Sequence, residues 1–180
     1  RMLVDIGTNG EIALWHRGQL SCCSTAAGPA FEGAGLSMGM AGKTGAVDHV
    51  RVQDGALQAH VIGGGAPKGI CGSGVIDALA CLVELEQLDE TGLLEQDPAP
   101  VAPPVCLTQK DVRMVQLAKS AICAGLRTLL RVEGLCGADA AELAVAGGFG
   151  SYLDVDSAGR IGLLPEELVP RVRVLGNAAL

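Results

Sequence analysis

The order of apolar runs and glycine breaks along these 180 residues predicts an α/β protein, a mixed sheet layered against helices. Three observations carry the prediction. Short strand-like runs cluster at the N-terminal end, a long amphipathic stretch follows residue 108, and a fully apolar run at 143–146 stops on paired glycines.

The first strands are expected at Met2–Ile6, Glu11–Trp15 and Gln19–Thr25, with Asn9-Gly10 as a tight-turn signal and Arg17-Gly18 as a second turn. Residues 27–42 are glycine-rich, and Pro29 suits the first position of a helix. Val47–Val52 and Leu57–Ile62 alternate apolar and polar residues around Asp54-Gly55, which predicts a second hairpin ended by Gly63-Gly64-Gly65. An apolar helix is expected over Val75–Leu85 with Ser73 as its cap. Four prolines between Asp97 and Val105 predict an extended linker.

The clearest helix runs from Thr108 to Val132. Thr108-Gln109-Lys110-Asp111 resembles a capping box, and Val112, Val115, Ala118, Ile122, Leu126 and Leu129 recur on one face. Arg113, Gln116, Lys119, Arg127 and Arg131 take the other face, and Gly134 ends the helix. After the strand at Leu143–Ala146 come Gly147-Gly148-Phe149-Gly150, a short helix, and a last strand at Val172–Leu175. The chain opens on Arg1 directly before a strand, and Asn177-Ala178-Ala179-Leu180 reads as the opening of a helix, so a fragment of a longer protein is expected.

Composition narrows the function classes. Aromatics are only 2%, so the core must be built from Ala, Val, Leu and Ile. The net charge is −7 and the cations are scattered, which argues against a nucleic-acid partner. Every long apolar run is interrupted by charge, Gly or Pro, which argues against a membrane span. The seven cysteines include no C-x-x-C pair, so buried, reduced thiols in a cytoplasmic protein are expected rather than metal ligands. His16, His49 and His60 stand isolated, each explained by a surface or hairpin position.

Three segments could carry chemistry. In Asp5-Ile6-Gly7-Thr8-Asn9-Gly10, a strand ends near an acid and turns through glycines whose N–H groups can approach a phosphate. Thr8 and Asn9 would add donors, and Asp5 would hold Mg²⁺ through water or orient an attacking water. In Gly147-Gly148-Phe149-Gly150, paired glycines would let a flat ring lie against the backbone. Gly69-Ile70-Cys71-Gly72-Ser73-Gly74 precedes a helix whose N-terminus can receive an anion. Taken singly, each reads more simply as structure: a hairpin with a capped Asp, a tight strand-to-helix turn, and ordinary helix capping.

Together and in this order, the three segments resemble the actin, sugar-kinase and heat-shock-chaperone superfamily of ATPases. Asp5–Glu11 is similar to its second phosphate loop, Gly147–Gly150 to its adenosine-binding glycines, and Gly28–Glu32 to the helix start that follows the phosphate loop. Seven blocks spread from Leu3 to Leu180 resemble more closely the C-terminal region of the reductive activators of corrinoid proteins. They are LVDIGTNGE, STAAGPAFEGA, GICGSGVIDAL, LTQKDVR followed by QLAKSAI, LAVAGGFGSYLD, IGLLP and LGNAAL.

The resemblance implies an actin-like (ribonuclease H-like) lobe spanning residues 1–180, the second lobe of a two-lobe ATPase domain in a longer iron–sulfur protein. It implies ATP and Mg²⁺ as ligands, an iron–sulfur cluster held only upstream, and a corrinoid protein of a methyltransferase system as partner. It implies Asp5 at the metal and its water, with Gly7, Thr8, Asn9 and Gly10 at the phosphates. Gly147, Gly148, Phe149 and Gly150 fall at the adenosine, and Glu32 near the nucleoside. ATP hydrolysis is then expected only when both lobes are present. A face left without its partner lobe can pair with a second copy, giving a homodimer. The competing functions are a lobe of a small-molecule kinase, a lobe of an acyl-CoA dehydratase activator with cluster ligands at Cys71 or Cys22–Cys23, and a non-enzymatic interaction module.

Overall fold

The computed structural model describes residues 1–148 and 152–176. Strands β1 (Met2–Ile6), β2 (Gly10–His16) and β3 (Gln19–Thr25) form an antiparallel meander. β9 (Leu143–Ala146) and β10 (Val172–Gly176) add in parallel on the far side of β1. The resulting order is β10-β9-β1-β2-β3, so the first and ninth strands lie side by side at the centre. That adjacency matters for function, because it sets the ends of β1 and β9 next to each other.

One face of this sheet is covered by α2 (Gln109–Val132). Met2, Val4, Ile6, Ile12, Leu14, Leu143 and Val145 point into the core, and the helix answers with the six apolar residues expected from its periodicity, all buried. Gly125 permits the close approach: a Cβ there would sit 2.6 Å from Ile12 Cδ1. The capping box forms as expected, with Thr108 Oγ1 accepting from the Asp111 N–H and the Asp111 carboxylate accepting from the Thr108 N–H. On the polar face Gln116 and Lys119 are half-buried, and they donate to the carbonyls of Thr91 and Ile161. The opposite face of the sheet leaves Leu3, Trp15, Leu20 and Leu175 exposed.

A second unit branches from the sheet between β3 and α2. β4 (Ala46–Gln53) and β5 (Ala56–Val61) make the expected hairpin, β6 (Gly69–Ile70) pairs in parallel with β4, and α1 (Gly72–Glu84) packs across them. Asp54 and Gly55 both have positive φ, 52° and 74°, as a two-residue turn of mirror-image type requires. After β9, α3 (Val155–Arg160) is the expected short helix.

Four expectations need correction. The Asp97–Val105 stretch is no linker: β7 (Ala99–Ala102) and β8 (Val105–Leu107) form a two-stranded hairpin whose Val101, Val105 and Leu107 are buried. Prolines are tolerated there because a two-stranded sheet is all edge. Pro29 starts only one 3₁₀ turn, Pro29–Glu32, which the left-handed Gly33 ends at once. Ser73 is not the cap of α1; Cys71 holds that position, and the Ser73 hydroxyl donates to the Asp48 carbonyl at 2.8 Å. The first turn is Gly7-Thr8-Asn9 rather than Asn9-Gly10, because Gly10 already pairs with Ile6 in the β1–β2 ladder. Its lack of a side chain serves packing: a Cβ would lie 2.6 Å from Thr25 Oγ1 and 3.1 Å from Ile122. Phe149, Gly150 and the 177–180 helix opening lie outside the described residues.

Candidate functional site

The ends of β1 and β9 meet where their ladder stops, with Asp5 opposite Ala146. Gly147 then turns away with φ 119°, and a Cβ there would strike the Ile6 carbonyl. Only glycine satisfies both the backbone angle and the contact. The turn after Asp5 and the paired glycines are therefore in direct van der Waals contact, and both open into one groove of about 350 Å³. Ile6 and Gly7 line it from one strand end, Gly148 from the other, and Cys71, Gly72 and Ser73 from the start of α1.

The Pro29–Glu32 turn closes the groove's floor. The Gly28 N–H donates to the Thr8 carbonyl at 2.8 Å, and Thr8 Oγ1 donates to Glu32 Oε1 at 3.0 Å, so turn and loop are clamped together. The α1 start is pressed against the same turn, since a Cβ on Gly72 would overlap the Phe31 carbonyl. All three glycine-bearing segments singled out by sequence thus reach one cavity.

The expected site residues occupy distinct places. Gly7 and Gly148 line the groove, as does Glu32, while Gly147 is not among the lining residues and packs against the Ile6 backbone. Thr8 and Asn9 are exposed on the loop, and Gly10 is buried behind it. Asp5 is half-buried and alternates with Val4 and Ile6, so it shares the sheet face of Leu3; it is not among the groove's lining residues. Ala41, Gly42 and Tyr152 also line the groove without any signal in the sequence. Their contribution depends on the path of loops that no periodicity encodes.

The histidine and cysteine expectations fare differently. His49 Nδ1 lies 2.9 Å from Asp77 Oδ2, and His60 Nδ1 lies 2.5 Å from Asp48 Oδ1, so two of the three histidines have carboxylate partners after all. Burial pushes the Asp77 carboxyl up from its usual 3.8, and bonds from His49, Ser157 and the Val50 N–H offset part of that push. Only Cys71 and Cys81 are buried; Cys22 and Cys136 are exposed, and Cys23, Cys106 and Cys123 are intermediate. The all-buried expectation fails because Cys22 faces the uncovered side of the sheet, opposite Ala13. Desolvation first, then the neighbouring Asp77 and Glu84 carboxylates, raise the Cys81 thiol to about 11.

A β-β-β-α-β-α-β arrangement with strand order 5-4-1-2-3, glycine turns meeting at the ends of its central strands, is an actin-like (ASKHA) fold of the nucleotide-binding class. The chain belongs to the family described as the C-terminal domain of RACo, the ASKHA domain, whose family model matches residues 1–180. It is 42% identical over 99% of its length to the corrinoid activation enzyme RamQ of Eubacterium limosum. It is 30% identical over 99% of its length to the [Co(II) methylated amine-specific corrinoid protein] reductase of Methanosarcina barkeri. A solved structure of a reductive activator for corrinoid, iron–sulfur protein superposes over 99% of the chain with a TM-score of 0.90 and 34% identity. The chain spans about a third of these proteins, 35%, 37% and 32% of their respective lengths.

Proposed function

We propose that this chain is the nucleotide-binding lobe of an ATP-dependent reductive activator that returns a cob(II)alamin-bearing corrinoid protein to the cob(I) state. The observation that supports it most is the shared groove between the turn after Asp5 and the paired glycines. Such a groove suits a nucleotide because glycines line it from both strand ends and from the start of α1, and their missing side chains leave room for a flat ring. Gly72 and Gly147 serve the groove indirectly: a Cβ on either would strike a neighbouring backbone carbonyl, of Phe31 or Ile6, so both hold the groove's elements close together. In it, Gly7, Thr8 and Asn9 face the phosphates with Gly10 buried behind them, Gly147–Gly150 take the adenosine, and Glu32 the nucleoside side of the loop it clamps. Asp5, beside the groove, reaches Mg²⁺ through a water shell.

Bound Mg·ATP would supply the hydrolysis energy, and closure of two lobes around it would convert that energy into a shape change. The electron itself would come from an iron–sulfur cluster carried outside these residues and end on the cobalt. Among the described residues no helix is long and apolar enough to cross a membrane. The cytoplasmic setting and the corrinoid partner belong to the same proposal. So does pairing of two copies through the sheet face that exposes Leu3, Trp15, Leu20 and Leu175.

The test uses the protein in its full length. Mg·ATP titrated calorimetrically should bind, and Asp5→Ala should remove hydrolysis while the circular dichroism spectrum is kept. Unchanged turnover in that variant would refute the role of Asp5, and no heat of binding would refute the nucleotide site. The 180-residue lobe alone should hydrolyse ATP negligibly. Sedimentation of the lobe, with Trp15→Ser as the dissociating variant, reads the pairing.

A further inference from the structure

The β4–β5 hairpin carries a side-chain arrangement that the groove does not use. β4 contains a bulge: Val47 opposes Val61 and His49 opposes His60, so Asp48 is one residue extra. A bulge breaks the strict alternation of a strand and re-aims the side chains around it. Here it lets Asp48 reach His60 while His49, its neighbour, sits directly opposite the same His60. Residues so opposed have Cβ atoms roughly 5 Å apart, which is the span two imidazoles need to share one ion at about 2 Å from each nitrogen.

Both rings turn Nδ1 to a carboxylate: His49 Nδ1 lies 2.9 Å from Asp77, which is 3% exposed, and His60 Nδ1 lies 2.5 Å from Asp48, which is 9% exposed. A neutral imidazole that donates through Nδ1 keeps its lone pair on Nε2. Carboxylate-bound histidine is the arrangement by which proteins orient metal ligands and raise their basicity. Asp77 Oδ1 has no hydrogen bond of good geometry among the described residues, although the Ser157 hydroxyl is near enough to lower the carboxyl's pKa. The two rings open on a shared cavity of about 450 Å³ with Asp77 and Asp154. Against those acids the cavity has one cation, Arg51, whose guanidinium is engaged by Gln58 at 3.4 Å. The local field therefore favours a cation.

We propose that His49 and His60 form a two-histidine site for a first-row divalent cation of the zinc class, with Asp77 and Asp48 orienting the rings. Imidazole ligands select this class over Mg²⁺ or Ca²⁺, which take oxygen. Among the described residues no three His, Cys, Asp or Glu side chains converge on one point, so the protein would supply the two imidazoles alone and leave the other coordination positions to solvent. The site sits one residue from the groove: the backbone carbonyl of Asp48 accepts from Ser73, which lines it.

The experiment titrates Co²⁺ into the full 180-residue chain under reducing conditions and follows visible absorbance together with the paramagnetically shifted imidazole resonances. One equivalent should bind with shifted histidine signals and no thiolate-to-cobalt charge-transfer band, and Zn²⁺ should displace it. His49→Ala and His60→Ala should each weaken binding at least about tenfold, and His16→Ala, on the other sheet, should leave it unchanged. His60 is largely exposed, so His60→Ala keeps the hairpin even where His49→Ala does not fold. Wild-type affinity in His60→Ala, a thiolate band, or no bound cobalt would each overturn the assignment.

Discussion

Around the groove the working surface is backbone. Gly7, Gly42, Gly72 and Gly148 line it without side chains, and the one charged side chain among the described lining residues, Glu32, is tied to Thr8. On the β4–β5 hairpin, two carboxylates hold two imidazoles, and the backbone contributes a bulge. The two regions share Asp48 and Ser73 yet should respond to opposite perturbations. A surface of glycines is sensitive to an added methyl and indifferent to pH. A surface of paired acids and imidazoles tolerates small changes of shape and follows pH.

The largest effect is expected at Gly147. Replacement by Val forces a β-branched residue to φ 119° and drives its Cβ into the Ile6 carbonyl. Strain and overlap together should cost about 3–5 kcal/mol in urea unfolding. A loss below about 1 kcal/mol would mean that the two strand ends do not meet as described.

Next comes Asp111, which joins the groove side to α2. Its carboxylate is 1% exposed and accepts from the Ser37 N–H at 2.7 Å, the Ser37 hydroxyl at 3.1 Å, and the N–H and hydroxyl of Thr108 at 2.8 Å. Asp111→Ala removes the acceptor shared by exposed Ser37 and half-buried Thr108 and should cost about 2 kcal/mol. Thr108→Ala removes only one side of the box and should cost about 1 kcal/mol. Equal losses would show that Ser37 is not held by Asp111.

These two regions were unequally legible from sequence, and the reason is spacing. The groove's segments are contiguous strings, Asp5–Gly10 and Gly147–Gly148, and the helix between them repeats Val112, Val115, Ala118 and Ile122 at a period that chemistry alone sets. The hairpin's pairs are not contiguous. His49 meets Asp77 across 28 positions, and Asp48 meets His60 only because a bulge upsets the alternation that a strand otherwise keeps. Ser37 and Asp111 are 74 positions apart. The Ser73 cap failed for a related reason: its hydroxyl had a better acceptor in the Asp48 carbonyl, on a strand brought close by the fold.

The pH response separates the regions further. Burial raises the Asp77 carboxyl from its usual 3.8, so the folded protein holds that proton more tightly than the unfolded chain. The stability this proton contributes is full below the unfolded pKa and is lost as pH rises through the folded value. Subtracting the stability of Asp77→Asn from that of the wild type, in urea series from about pH 4 upward, should give a difference that falls with pH. A flat or rising difference would sink the claim that desolvation dominates at Asp77. The same subtraction with Gly148→Ala, at the groove, should be flat.

The smallest change expected is in thiol chemistry, and it resolves the hairpin side from the open sheet face. Cys81 lies on α1 with its thiol raised to about 11 by burial and by Asp77 and Glu84, while Cys22 is exposed on β3. Two units above an ordinary thiol mean about a hundredfold less thiolate near neutral pH, before any loss of access is counted. A maleimide should therefore label Cys22 and Cys136 first and Cys81 last, as read by mass spectrometry of timed digests. In Asp77→Asn the carboxylate's contribution disappears but desolvation stays, so Cys81 should quicken only slightly. If it became as fast as Cys22, Asp77 rather than burial would be the dominant cause, and the hairpin side would be governed by charge alone.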